Sequence, residues 1–171
     1  MTRIDLIFEG YFVHNDEKIP RKRGIYCIYK VEISGNEKDI ELVYIGQAQR
    51  GEKGDLRTRI ADHGRTDFKD VFHYRGTKRL PKIIYFYSYA DLSSRSEHEI
   101  DVAEAALIFK LQPPKNDDFK EEYNKDDVKI FLSGKIRDMP SEPFELNQGT
   151  TYEEYFLDDF LESCGIWVEE S

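Results

Sequence analysis

The chain has 171 residues, 39% hydrophobic and 35% charged, with a formal net charge of -9, which suits one soluble globular domain, with or without an appendage. No apolar run reaches the roughly 18–20 residues that span a bilayer, and the opening "MTRIDLIFEG" lacks the layout of a signal peptide, so a cytoplasmic protein is expected, with no membrane partner. The two cysteines, Cys27 and Cys164, lie far apart, with Cys27 inside an apolar run, which argues against a disulfide framework or a cysteine-rich zinc site and for reduced thiols.

The first predicted elements are two strands. "GIYCIYKVEI" is rich in β-branched and aromatic residues, "SGNEKD" supplies turn residues, and "IELVYIG" repeats the strand pattern, so the three together read as a hairpin. A glycine-punctuated loop, "QRGEKG", leads to "DLRTRIADH", where Leu56 and Ile60 fall one helical turn apart and Asp55 stands ready as N-cap. "KIIYFYSYA" reads as a third, largely buried strand. "SEHEIDVAEAALIFKLQ" opens on a Ser96-x-x-Glu99 capping box and continues apolar at helical spacing until Pro113 and Pro114 stop it. The stretch 117–149 is polar and loop-rich, and "TTYEEYFLDDFLES" has the spacing of an amphipathic helix able to pack back on the domain. No internal repeat is present.

Charge is unevenly spread. Residues 21–82 hold 15 Lys and Arg against nine Asp and Glu, whereas residues 117–171 hold 16 acids against five bases. Two solvated faces account for this, and so does a phosphate-binding front beside an acidic appendage. Charge alone leaves both open.

Strand alternation puts Gly24, Tyr26, Ile28 and Lys30 on one face of the first strand and Leu42, Tyr44 and Gly46 on one face of the second, so two phenols can meet across the hairpin. Arg59 and His63 are four apart on one side of the short helix. Glu104 lies on the long helix and Asn116 just beyond its end. Singly, each has an ordinary explanation as a packing, surface or turn residue; together they are six polar groups that can converge. His14, His73 and His98 have no ligand spacing with the cysteines.

Gly24-Ile25-Tyr26 followed by Tyr44-Ile45-Gly46 resembles the signature of the GIY-YIG nuclease superfamily, over about residues 21–116. In that family an arginine follows on the first helix, often with a histidine one turn on, then a glutamate on a later helix and an asparagine after a proline-containing stretch. Arg59, His63, Glu104 and Asn116 fill those places, and Arg59 suits the pattern better than Arg57 through its distance from the second triplet and its relation to His63. The resemblance implies a metal-dependent endonuclease acting on DNA through the basic 21–82 segment. Glu104 would hold one Mg²⁺, with Mn²⁺ as a substitute, and Arg59 would stabilise charge growing on the phosphate. Either Tyr26 or Tyr44 would accept the proton of the attacking water; a phenol with an ordinary pKa of about 10 needs a cation or hydrogen-bond partner for that role. Tyr26 is preferred, oriented by Tyr44 and networked with His63, while Gly46, Gln47 and Arg57 are candidates for substrate binding.

The expected fold is α/β (α+β), with a small, mostly antiparallel, three-stranded central sheet flanked by helices. Residues 1–20 are expected as an N-terminal extension, 21–116 as the nuclease-like domain and 117–171 as an acidic C-terminal extension packing on or beside it. The competing reading is a nucleic-acid-binding or regulatory protein that keeps the fold without turnover.

Overall fold

The computed structural model describes residues 1–49 and 54–166. Most of the loop expected after Gln49, with Arg50 and Lys53, lies outside them, as do Glu169 and Glu170 of the acidic tail. Twelve elements are described: β1 (Thr2–Phe12), β2 (Gly24–Ser34), β3 (Glu37–Ala48), α1 (Leu56–Arg65), β4 (Val71–Arg75), β5 (Lys78–Asp91), α2 (Glu97–Leu111), β6 (Glu122–Tyr123), β7 (Val128–Gly134), β8 (Phe144–Leu146), β9 (Thr150–Thr151) and α3 (Tyr152–Ser163).

The expected hairpin is β2–β3, joined by the turn at Gly35, whose φ of 62° suits glycine. Helix α1 starts where expected: the Asp55 side chain accepts from the Thr58 N–H at 2.9 Å. Helix α2 carries the Ser96/Glu99 capping box and ends in a left-handed Gln112, just before the two prolines. Helix α3 begins with a second capping box, Thr151 with Glu154.

The sheet corrects the expectation. The chain is α+β, but in place of a small three-stranded sheet it has a mixed seven-stranded one, ordered β3-β2-β5-β1-β7-β8, with β4 pairing β5 off that path. Residues 1–20 supply β1, in which Ile4, Leu6 and Phe8 are buried while Arg3, Asp5 and Ile7 face out, the period-two pattern of a strand with one face in the core. β1 sits between β5, antiparallel, and β7, parallel. The stretch 117–149, expected as loop, contributes β7 and β8, whose Val128, Ile130, Phe144 and Leu146 are all buried.

Two cores lie on opposite faces of this sheet. α2 packs over one with Ile4, Leu6, Phe8, Ile25, Cys27, Tyr29 and Ile45, and α1 covers the other with Tyr26, Ile28, Val43, Tyr87 and Tyr89. α2 buries Ile100, Val102, Ala103 and an unbroken run from Ala105 to Phe109, so it is apolar nearly all round and needs cover on both sides. Its outer side is closed by the C-terminal segment: Phe109 meets the rings of Tyr123, Tyr155 and Phe156. Among the described residues no helix is long and apolar enough to cross a membrane.

The position of β1 is testable through Leu6, which is fully buried. Leu6→Ala is expected to lower unfolding free energy by about 2–5 kcal/mol in urea denaturation, as for a core leucine. A loss within about 0.5 kcal/mol, the range of surface changes, would return residues 1–12 to the status of an appendage.

Candidate active site

β3 is the edge strand of the sheet, and the candidate residues gather where α1, on one face, and α2, on the other, approach that edge. In the β2–β3 register Tyr26 lies opposite Gly46 and Ile28 opposite Tyr44, which makes the two tyrosines diagonal neighbours with ring centroids 6.4 Å apart. Gly46 is the seat of the Tyr26 phenol. A Cβ at position 46 would lie 2.4 Å from the Tyr26 hydroxyl oxygen and 2.5 Å from Cζ, so only glycine lets the ring lie across the strand. Its role is to admit a side chain of the protein itself.

From α1, His63 places Nε2 2.7 Å from the Tyr26 hydroxyl. Its ring is boxed by Tyr44 at 5.3 Å and Phe68 at 5.4 Å, and its Nδ1 faces Asp67 at 3.7 Å. Burial, and then the neighbouring Arg59 charge, hold the His63 pKa below the ordinary 6.5, so the imidazole is neutral at neutral pH; Asp67 pulls the other way. Burial pushes the Tyr26 hydroxyl well above the usual phenol range, against the pull of Arg59. A protonated Tyr26 therefore donates to a neutral Nε2, which leaves the ring proton on Nδ1 toward Asp67. Tyr44 is likewise raised, by burial and then by the charge of Glu104.

Beside this group opens a cleft of about 670 Å³, lined by Tyr44, Gln47, Arg59, Asp101, Glu104 and Asn116 together with residues from the segment after α2. Tyr26 is completely buried and does not line it. Gln47 donates its amide to Glu104 at 2.6 Å and to Asp101 at 2.8 Å, and Gln49 reaches the same Asp101. Asp101 and Gln49 escape the sequence reading. The signal for Asp101 is its place three residues before Glu104, on the same side of α2. Cleft charge is mixed: Asp101, Glu104, Asp117 and Asp118 face Arg59, Lys115 and Lys125.

Two candidates prove to be braces. Asn116, buried, accepts from the Ile45 N–H and donates to the Ile45 carbonyl, both at 2.9 Å, completing the open side of β3 as a neighbouring strand would. Arg57 points away from the cleft and donates to the carbonyls of Ile19 and Glu17 at 2.7 and 2.6 Å, tying residues 17–19 to α1. The structure thus brings together Tyr26, Tyr44, Arg59, His63, Glu104 and Gln47, sets Gly46 behind them and Asn116 in the cleft wall as supports, and leaves Arg57 apart.

No family model, curated protein or solved structure matches this chain. The arrangement stands on its own chemistry: a hydrogen-bonded Tyr–His couple, a guanidinium, and a carboxylate pair on one helix face. Those oxygens fit a hard, water-carrying divalent ion, since Mg²⁺ needs only one or two protein carboxylates and keeps water in its other positions. Among the described residues no three His, Cys, Asp or Glu converge as a closed ligand cage, so an ion here would be held by few protein groups.

The brace role of Asn116 gives a stability prediction. Asn116→Ala strands the N–H and C=O of the fully buried Ile45 and is expected to cost about 1–3 kcal/mol for each stranded group in urea denaturation. A stability equal to the parent's would show that the two hydrogen bonds do not hold the edge.

Proposed function

We propose that the protein is a metal-dependent endonuclease that hydrolyses DNA phosphodiester bonds, with a GIY-YIG-like site. The observation that carries the reading is the Tyr26–His63 hydrogen bond at 2.7 Å beside a cleft holding Arg59 and Glu104. These are the side chains the ordered sequence pattern selects, and they come from β2, α1 and α2, far apart in the chain.

In this reading Glu104, with Asp101 beside it, would hold Mg²⁺, which would supply Lewis-acid polarisation of the phosphate. Arg59 lines the cleft and its guanidinium stabilises the charge that grows on the phosphate oxygens. Its Nε makes no hydrogen bond among the described residues. The raised Tyr26 hydroxyl rules out a standing phenolate, so in this reading substrate binding opens the buried Tyr26 hydroxyl to the cleft, and Tyr26 then accepts the proton of the attacking water as it passes its own to His63 Nε2. The resulting imidazolium faces Asp67. Water's oxygen bonds to phosphorus, the bond to the leaving oxygen breaks, and that oxygen takes a proton from solvent. Tyr44, which lines the cleft, orients the incoming water.

Complete burial of Tyr26 favours the second reading, a nucleic-acid-binding or regulatory protein that keeps the fold without turnover. The two free cysteines, one buried and one exposed, suit the reducing cytoplasm in which we place the protein.

Incubation with plasmid, branched DNA and RNA, with and without Mg²⁺ or Mn²⁺, separates the two. Metal-dependent cleavage of DNA is expected, with Glu104→Ala, Arg59→Ala and Tyr26→Phe each lowering kcat by roughly 10²–10⁴ and DNA affinity far less. Parent-like cleavage by Glu104→Ala would sink the site assignment, and binding without cleavage would select the second reading.

The couple also has a pH signature. Catalysis needs His63 neutral, and its lowered pKa keeps it so below the ordinary 6.5, so the acid limb of kcat/KM is expected below pH 6.5. Asp67 raises the His63 pKa, so Asp67→Asn is expected to move that limb to still lower pH. A limb that stays in place in Asp67→Asn, or that survives His63→Ala, would assign the titration to another group.

A further inference from the structure

The cleft alone is a poor magnet for DNA, because its four carboxylates outnumber its three cations. A chain of net charge -9 that takes a polyanion needs a cationic surface elsewhere. The hairpin β4–β5 provides one. Residues 71–82 include Arg75, Lys78, Arg79 and Lys82 and contain no Asp or Glu. Every residue from Val71 to Arg79 is exposed, as is Lys82. None of the four cations takes part in an ion pair among the described residues.

The geometry is that of a free arm. β5 pairs with β2 as far as Ile83, and beyond that point only β4 accompanies it, out to a turn at Gly76, whose φ is 67°. The register pairs Tyr74 with Arg79 and Arg75 with Lys78, so alternation sets Phe72, Tyr74 and Arg79 on one side and His73, Arg75 and Lys78 on the other. The Arg79 guanidinium lies on the Phe72 ring, 3.8 Å from its centroid, which holds that cation in place, while Tyr74 is 70% exposed. At its base the arm joins the site: Phe68, three residues before β4, packs against His63, Tyr44 and Tyr85, and Asp70 accepts from the Tyr85 N–H at 3.0 Å.

We infer that the β4–β5 hairpin is a DNA-binding arm that takes duplex DNA, laying a two-stranded ribbon in the major groove with its cations on the flanking phosphates. A two-stranded ribbon matches the width of that groove. Duplex fits better than a single strand, since one of the two aromatics is already covered by Arg79 and a stacking platform needs successive open rings. The inference rests on the proposal that the substrate is DNA. It adds that affinity and register come from the arm, while the cleft supplies the chemistry.

The test measures binding of the full chain to a fluorescent duplex and to a single strand of the same sequence, in EDTA so that cleavage is silent, across a range of salt concentrations. The variant Arg75→Gln/Lys78→Gln/Arg79→Gln/Lys82→Gln is expected to lose about 0.9 of the log–log salt slope per phosphate contact, so roughly 3–4 in all, with at least a ~10-fold loss of duplex affinity at fixed salt. Its thermal midpoint should stay with the parent, because the substituted side chains are exposed. Arg75→Lys/Arg79→Lys, which keeps the charge, should keep most of the slope. Unchanged duplex affinity and slope in the Gln variant, or a parent that binds only single strands, would overturn the arm while leaving the nuclease reading intact. A parent that binds duplex through these residues and cleaves nothing with Mg²⁺ or Mn²⁺ would keep the arm and remove the nuclease.

Discussion

Helix α2 is apolar almost all the way round, and the molecule is arranged to cover it. One side lies on the sheet against Ile4, Leu6, Phe8, Ile25 and Ile45, and the other is closed by Tyr123, Tyr155 and Phe156 from the C-terminal third. A helix of this kind left open on one side would expose a large apolar patch. The acidic C-terminal segment is therefore joined to the rest by hydrophobic burial, whatever its surface charge does. Its helix α3 leans on α2 through aromatic rings and through the Lys110 ammonium donating to the Tyr155 hydroxyl at 2.8 Å, and it does not line the cleft. The few polar positions of α2 matter for the same reason: once the helix is fixed on both sides, Asp101 and Glu104 are held at the edge of β3 with little freedom to drift.

An open strand edge is the second constraint. β3 ends the sheet, and its bare N–H and C=O groups invite pairing with another chain. Here residues after the Pro113-Pro114 stop return to it: Lys115 donates its N–H to the Val43 carbonyl at 2.9 Å, and the Asn116 side chain takes both groups of Ile45. One short segment thus protects the edge, anchors the end of α2, and closes one wall of the cleft. An asparagine suits this because its side-chain amide carries a donor and an acceptor side by side, as a peptide does.

Legibility followed the range of the forces involved. The β2–β3 hairpin, the Asp55 cap and the Ser96/Glu99 box could be read because a turn, a cap or a helical spacing is local. β1 carried an equally clean alternation of Ile4, Leu6 and Phe8, but its partners are β5 and β7, some eighty and more residues on, and nothing local says that a first strand belongs inside a sheet. β7 and β8 hid in a charged stretch, since short strands of two or three buried residues differ little from loop in composition. β4 is exposed throughout and has no buried face to betray it. For the candidate site, an ordered motif sufficed to single out Tyr26, Tyr44, Arg59, His63 and Glu104, which the structure brings near one another, because identity and order survive without coordinates. The division between groups that face the cleft and groups that brace it did not follow from order. Arg57 and Arg59 differ by two positions, and only packing shows that one ties down a loop while the other lines the cleft.

The parallel pairing of β1 with β7 has a consequence for how the chain is assembled. Thr2 aligns with Val128 and Phe8 with Gly134, so β1 meets this neighbour only after the long intervening stretch has been synthesised. Its other neighbour, β5, also comes late. Until then the apolar face of β1, with Leu6 and Phe8 on it, waits in company with a growing polypeptide, and closing such a distant contact is the slow kind of step in a folding reaction. The hairpin β2–β3 and helix α1, with their short-range contacts, can form in the interval. Tyr26 and Tyr44 can therefore find each other early, while the sheet that holds them rigid is the last part to be completed.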